Sequence, residues 1–181
     1  DYTIEAWIKL ETTGRHHGIY RNTQNSETSY PNVAFGVTSG EILEFFVFFN
    51  YPCGTNTCTT WISAYTPSGQ FVADEWYHVA GTIEMDSRKL QAYVNGQLVG
   101  EATIPGGYIP SDANCCNDHR IGDPAYFFSH FDGTIDELRL SSIAREPDYF
   151  LIRERENIVL KATAHDTDGS IVNYTWLSDV D

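Results

Sequence analysis

The sequence predicts an all-β sandwich. Three observations carry that reading: apolar and polar residues alternate with the period of a strand through most of the chain, long helical stripes are missing, and turn-forming residues recur at about 8–12-residue intervals. The 181 residues make one medium domain, with room for part of a second. Hydrophobic residues at 41% and aromatics at 14% suffice for a packed core and argue against disorder.

The elements follow in order. Tyr2–Leu10 puts Ile4, Ala6, Ile8 and Leu10 on one face and Thr3, Glu5, Trp7 and Lys9 on the other. Further strands are expected at 18–21, 33–38, 41–49, 59–65, 77–84 and 90–94. Asn95-Gly96 then separates 90–94 from 97–102, which is the strongest short-range hairpin signal. In 134–140, Ile135 falls on one face and Leu138 and Leu140 on the other, as in a strand covered on both sides. A short helical turn is expected over 143–150, limited by Pro147. Two irregular stretches interrupt this pattern: 22–31, rich in Asn, Ser and Thr, and 105–124, rich in Gly, Pro, Asp and Asn. Loops of that length in a compact domain are usually functional or mobile.

Charge narrows the partners. With 11 Lys and Arg against 25 Asp and Glu, the net charge is −14, which disfavours nucleic acid and anionic membrane surfaces. The longest apolar run, Phe45-Phe46-Val47-Phe48-Phe49, falls far below the roughly 20 residues of a membrane span, so no membrane insertion is expected. The chain opens on neither Met nor a signal-peptide pattern, and reads as a piece of a longer polypeptide. The four cysteines, Cys53, Cys58, Cys115 and Cys116, allow three pairings. Cys53 and Cys58 flank the turn-like Gly54-Thr55-Asn56-Thr57; the adjacent Cys115 and Cys116 could pair with each other or reach the first two. Neither pair has zinc-finger spacing, so disulfides and an extracellular or cell-surface setting are expected.

Four segments taken together resemble the laminin-G-like, concanavalin A-like lectin/glucanase superfamily, in its bacterial, pentraxin-like branch. They are Tyr2-Thr3-Ile4-Glu5-Ala6-Trp7-Ile8-Lys9, Glu75-Trp76-Tyr77-His78-Val79-Ala80-Gly81-Thr82, Leu90-Gln91-Ala92-Tyr93-Val94-Asn95-Gly96-Gln97-Leu98-Val99-Gly100 and Phe131-Asp132-Gly133-Thr134-Ile135-Asp136-Glu137-Leu138-Arg139-Leu140. The resemblance implies a jelly-roll β-sandwich over residues 1–150. Trp76, at a strand entrance, reads as an amphipathic plug. Members of the superfamily normally carry a further strand or two before the first of these segments, so an exposed edge is expected here. After the charged connector Arg153-Glu154-Arg155-Glu156, residues 157–181 resemble the opening strands of an immunoglobulin-like PKD domain, through Val159-Leu160-Lys161-Ala162-Thr163-Ala164, Asp166, Asp168-Gly169 and Tyr174-Thr175-Trp176. Some 25 residues cannot close such a sandwich, so this second domain is truncated and the whole reads as a fragment of a multidomain surface or secreted protein.

The superfamily includes β-glucanases, whose paired carboxylates share one strand face. Glu41 and Glu44, Glu84 and Asp86, and Asp136 and Glu137 lack that spacing, and neither a Gly-x-Ser-x-Gly nor a His-Glu-x-x-His motif occurs, so no enzyme is expected. Asp166-Thr167-Asp168-Gly169 is no EF-hand, because Thr175 stands where the Glu is required. Calcium is the cofactor candidate, with Asp112, Asn114, Asp123 and Asp132 supplying hard oxygens; the resemblance adds Asp136 as the aspartate of an outer-face site. Asp and Asn are equally ordinary turn formers. Sugar recognition wants aromatic faces beside polar groups, and Tyr51, Trp61 and Tyr65 around the Cys53–Cys58 turn, with Tyr108, Tyr126 and His130 in or near the long loop, are the candidates. Trp7 and Trp76 are assigned to structure, as are His16, His17, His78 and His119. The function expected is a non-catalytic carbohydrate-binding or adhesive module whose partner is a glycan or polysaccharide. The alternative is a structural module that assembles with other extracellular proteins or copies of itself and has no sugar site.

Overall fold

The computed structural model describes residues 1–23, 31–111, 118–122 and 129–145. These form eleven strands: β1 (Tyr2–Leu10), β2 (His17–Thr23), β3 (Pro31–Val37), β4 (Leu43–Cys53), β5 (Asn56–Tyr65), β6 (Trp76–Glu84), β7 (Lys89–Val94), β8 (Gln97–Thr103), β9 (Ile109–Pro110), β10 (Asp118–Ile121) and β11 (Gly133–Ser141). One sheet runs β11-β1-β6-β7-β8; the other runs β10-β2-β3-β4-β5, with β9 paired to β4. All ladders are antiparallel.

The period-two pattern dictates the core. Ile4, Ile8 and Leu10 of β1, Phe35 of β3, Phe45, Val47 and Phe49 of β4 and Val79 and Ile83 of β6 are buried in one cluster between the sheets. The unbroken apolar run in β4 reflects burial on both faces: Phe46 and Phe48 point outward and pack with Ala34 in a second, smaller cluster. Asn95 and Gly96 turn β7 into β8 with φ of 49° and 74°, the left-handed pair a tight hairpin needs.

The sheets meet along one side, where Gly100 of β8 lies so close to the backbone of Tyr65 in β5 that a side chain would overlap it. On the opposite side they part around a cavity of about 380 Å³, lined by Tyr2, Ile4, Tyr20, Asn22, Val33 and Leu140 among others. There Leu140, though it faces inward opposite Ile4, is 51% exposed on the edge strand β11.

Several expectations are corrected. The stretch 105–124 is not wholly irregular, since β9 and β10 lie within it; each exists through hydrogen bonds to a partner, β4 or β2, rather than through a pattern of its own. Strand β11 is not covered on both sides. Glu137 sits in a bulge with φ of 48°, so between the pairs Glu5↔Arg139 and Trp7↔Asp136 the strand carries an extra residue. The bulge reverses the alternation, and Ile135 and Leu138 both pack on the inner core. Trp76 is no plug: it is 43% exposed, with the Lys9 ammonium 5.4 Å from its ring centroid. Of the expected helical turn, residues 143–145 are described and are not helical; the Ile143 carbonyl and the Arg145 N–H are both bonded by the Thr3 hydroxyl. Residues 146–181, including the PKD-like segment, lie outside the described residues.

Candidate functional site

The β4–β5 hairpin places most of the chemistry. Its ladder runs without interruption from Glu44↔Tyr65 to Cys53↔Asn56, and the Cys53–Cys58 disulfide, with Cα atoms 5.8 Å apart, clamps its tip. Register then sorts the predicted aromatics onto opposite faces. Tyr51 continues the inner row of Phe45, Val47 and Phe49, and stacks on Tyr108 at 4.7 Å with planes 13° apart; Tyr108 also packs against Phe49. That pair caps the end of the core.

Trp61 and Tyr65 instead lie on the outer face of the six-stranded sheet. They are 53% and 63% exposed. Trp61 faces Phe48 across the ladder, with ring centroids 5.9 Å apart, and Phe48 packs on Phe46. Polar pairs alternate with these rings. The Thr59 hydroxyl donates to Asn50 Oδ1 at 2.9 Å on one side of Trp61, and the Ser63 hydroxyl donates to Glu44 Oε1 at 2.9 Å between Trp61 and Tyr65. The result is a strip of two exposed rings separated by hydroxyl, amide and carboxylate groups. Glu44 is the single carboxylate among the outward-facing residues of β4 and β5, so this face does not supply the pair a glycosidase uses.

The other predicted residues are not gathered here. His130 is exposed in the loop before β11. Tyr126, Asp112, Asn114, Asp123, Cys115 and Cys116 lie outside the described residues. The Asp132 carboxylate takes the Thr12 hydroxyl at 2.7 Å and the Arg15 guanidinium at 3.4 Å, and Asp136 accepts the N–H of Glu137 at 2.8 Å in the bulge. Both carboxylates take part in local hydrogen bonds, and no group of three or more His, Cys, Asp or Glu able to hold a metal occurs among the described residues.

Sequence reasoning missed one polar cluster. Glu5 is buried on the outer face of β1, where Oε1 takes the guanidinium of Arg139 and, at 2.6 Å, that of Arg145. His78 Nε2 lies 3.8 Å from Glu5 Oε2, and its ring meets Trp7 edge-on at 5.4 Å. Burial lowers the His78 pKa below its ordinary 6.5, against the pull of Glu5 and with the help of Arg139. The available signal was a carboxylate at position 5 flanked by Ile4 and Ala6 in the middle of an amphipathic strand, which wants a cation from elsewhere in the chain if it is buried.

The model of the concanavalin A-like lectin/glucanases superfamily matches residues 1–149. The chain belongs to that superfamily. No curated protein matches it in sequence. Among solved structures, the superfamily sandwich resembles the CBM40 of a Ruminococcus gnavus IT-sialidase with a TM-score of 0.61 at 12% identity, over 82% of this chain and 79% of that one. That CBM40 has also been solved bound to alpha2,3 sialyllactose. A putative carbohydrate binding protein from Bacteroides ovatus matches with a TM-score of 0.55 at 20% identity, over 81% of this chain and 38% of that one. A SAP-like pentraxin from Limulus polyphemus matches with a TM-score of 0.51 at 16% identity, over 82% and 67%. At these identities the likeness is one of fold.

Proposed function

We propose that this chain is a non-catalytic carbohydrate-binding module of a secreted or cell-surface protein. The observation that carries the reading is the strip on β5, where Trp61 and Tyr65 stand exposed with Ser63 and Glu44 bonded between them. Sugar rings present C–H faces that stack on aromatic rings and hydroxyls that bond the polar groups beside them. The names of two neighbours, a sialidase CBM40 and a putative carbohydrate binding protein, support the same reading. The Cys53–Cys58 bridge supports an oxidising setting. Among the described residues no helix is long and apolar enough to cross a membrane.

Affinity electrophoresis through gels containing soluble polysaccharides tests this proposal. Retardation of the chain by at least one polysaccharide, lost in Trp61→Ala, is expected; equal mobility of both proteins in every gel overturns the site. Calcium is proposed for the set Asp112, Asn114, Asp123, Asp132 and Asp136. Heat released on titrating calcium into EDTA-stripped protein supports it, and no heat removes it. The PKD-like reading of 157–181 is likewise a proposal, and supports a module that sits among others.

A further inference from the structure

Resting on the glycan-binding reading, we infer that the strip on β5 takes a neutral, extended, equatorially linked oligosaccharide lying along the strand, and refuses acidic sugars. Strand geometry sets the first half. Alternate residues of a strand share a face at steps of about 6.7 Å, so Trp61 and Tyr65 stand about 13 Å apart with Ser63 midway. Two exposed rings at that separation on one strand suit an extended chain that stacks one sugar on each and carries another between them. The polar groups fall where such a chain turns its hydroxyls: Ser63 and Glu44 between the rings, and Thr59 and Asn50 beyond Trp61. From Thr59 to Tyr65 the strip runs about 20 Å, the reach of a tetrasaccharide. Equatorial linkages keep every ring flat to the strip; an axial linkage would lift the next sugar off the face.

Charge sets the second half. The ionisable group between the two rings is a carboxylate, Glu44, on a chain of net charge −14. The outward-facing arginines of this sheet lie far off. Arg21 of β2 is three strands from β5, about 14 Å, and 2% exposed; Arg120 of β10 is four strands away, about 19 Å. Lys89 is on the other sheet, paired with Glu101. A sugar carboxylate on the strip would meet a like charge with no cation on β3, β4, β5 or β9 beside it, which costs affinity.

Calorimetry on the 181-residue chain tests this with neutral β-1,4-linked gluco-oligosaccharides from disaccharide to hexasaccharide, 3′-sialyllactose and oligogalacturonides. Affinity should rise to the tetrasaccharide and then level off, with both acidic probes weaker by roughly tenfold or more. Tyr65→Ala should abolish the gain with length while sparing the disaccharide, and Glu44→Gln should narrow the gap to the acidic probes. Acidic probes binding as well as neutral ones, or affinity independent of length, overturn the inference and leave the glycan-binding reading standing. Failure of every probe, from protein with native near-ultraviolet circular dichroism, removes both.

Discussion

Trp61 and Phe48 face each other across one ladder, yet the first is 53% exposed and the second 6%. Phe48 stands on an inner strand and packs with Phe46 and Ala34 in the outer cluster, whereas Trp61 stands on the edge strand β5 with a neighbour on one side alone. That difference turns one aromatic into filling and the other into a surface for a ligand. Burial acts in another way on His17, whose Nδ1 accepts the Asp132 N–H at 3.3 Å in the neutral ring. Its pKa is lowered from 6.5 by burial first and by Arg15 next, against the smaller raising effect of Asp132. A histidine with a lowered folded pKa stabilises the fold fully above its unfolded value, and that contribution is lost as pH falls below about 6.5. Urea midpoints at pH 7.5 and pH 5.5 should therefore fall more for the wild type than for His17→Gln. His78, shifted in the same direction, should leave a residual slope that the double variant with His78→Gln reduces further. Equal slopes in all three proteins would refute this account.

At the scale of the element, the strands of the hairpins are read directly from alternation and turn residues, because their pairing is local. Strand β11 shows where that reading stops. Its sequence alternates cleanly, but the bulge at Glu137 changes which face each residue takes, and a bulge is set by the partner strand β1. The β4–β5 tip supplies a prediction of the opposite kind. Its ladder already reaches Cys53↔Asn56, so the disulfide closes a short loop whose backbone is paired. Replacing both cysteines by serine should cost about 2 kcal/mol or less in chemical unfolding, and should leave retardation by polysaccharide unchanged. Loss of binding in the serine variant would show that the tip, and not the strip, holds the ligand.

For the whole molecule, the decisive contact is the approach of the two sheets at β5 and β8. Gly100→Ala would press a methyl against the carbonyl of Tyr65, which is backbone and cannot rotate away. The variant should lose about 1–3 kcal/mol in thermal or urea unfolding. It should also weaken glycan binding, because Tyr65 must shift to relieve the overlap. A stable variant with unchanged binding would mean that the sheets part freely along this side. The Glu5 cluster ties the opposite side of the fold, where Glu5→Ala would remove the buried carboxylate that Arg139 and Arg145 share. A loss of about 3–5 kcal/mol is expected in the same assay.

The amino-acid order by itself determined the all-β class, most strand positions, the Asn95-Gly96 turn, the Cys53–Cys58 pair as one open option and the superfamily, because each rests on patterns within a few residues or on short motifs in a fixed order. Tertiary structure alone decided which aromatics serve the core and which reach solvent, since Tyr51 and Trp61 look alike in sequence and differ by the face their register assigns. It alone brought Arg139 and Arg145 to Glu5 across separations of 134 and 140 residues, and it alone brought Thr12 and Arg15 to Asp132. The physical reason is common to all three. A side chain's face follows from its own strand, but what it meets there is supplied by strands distant in the chain.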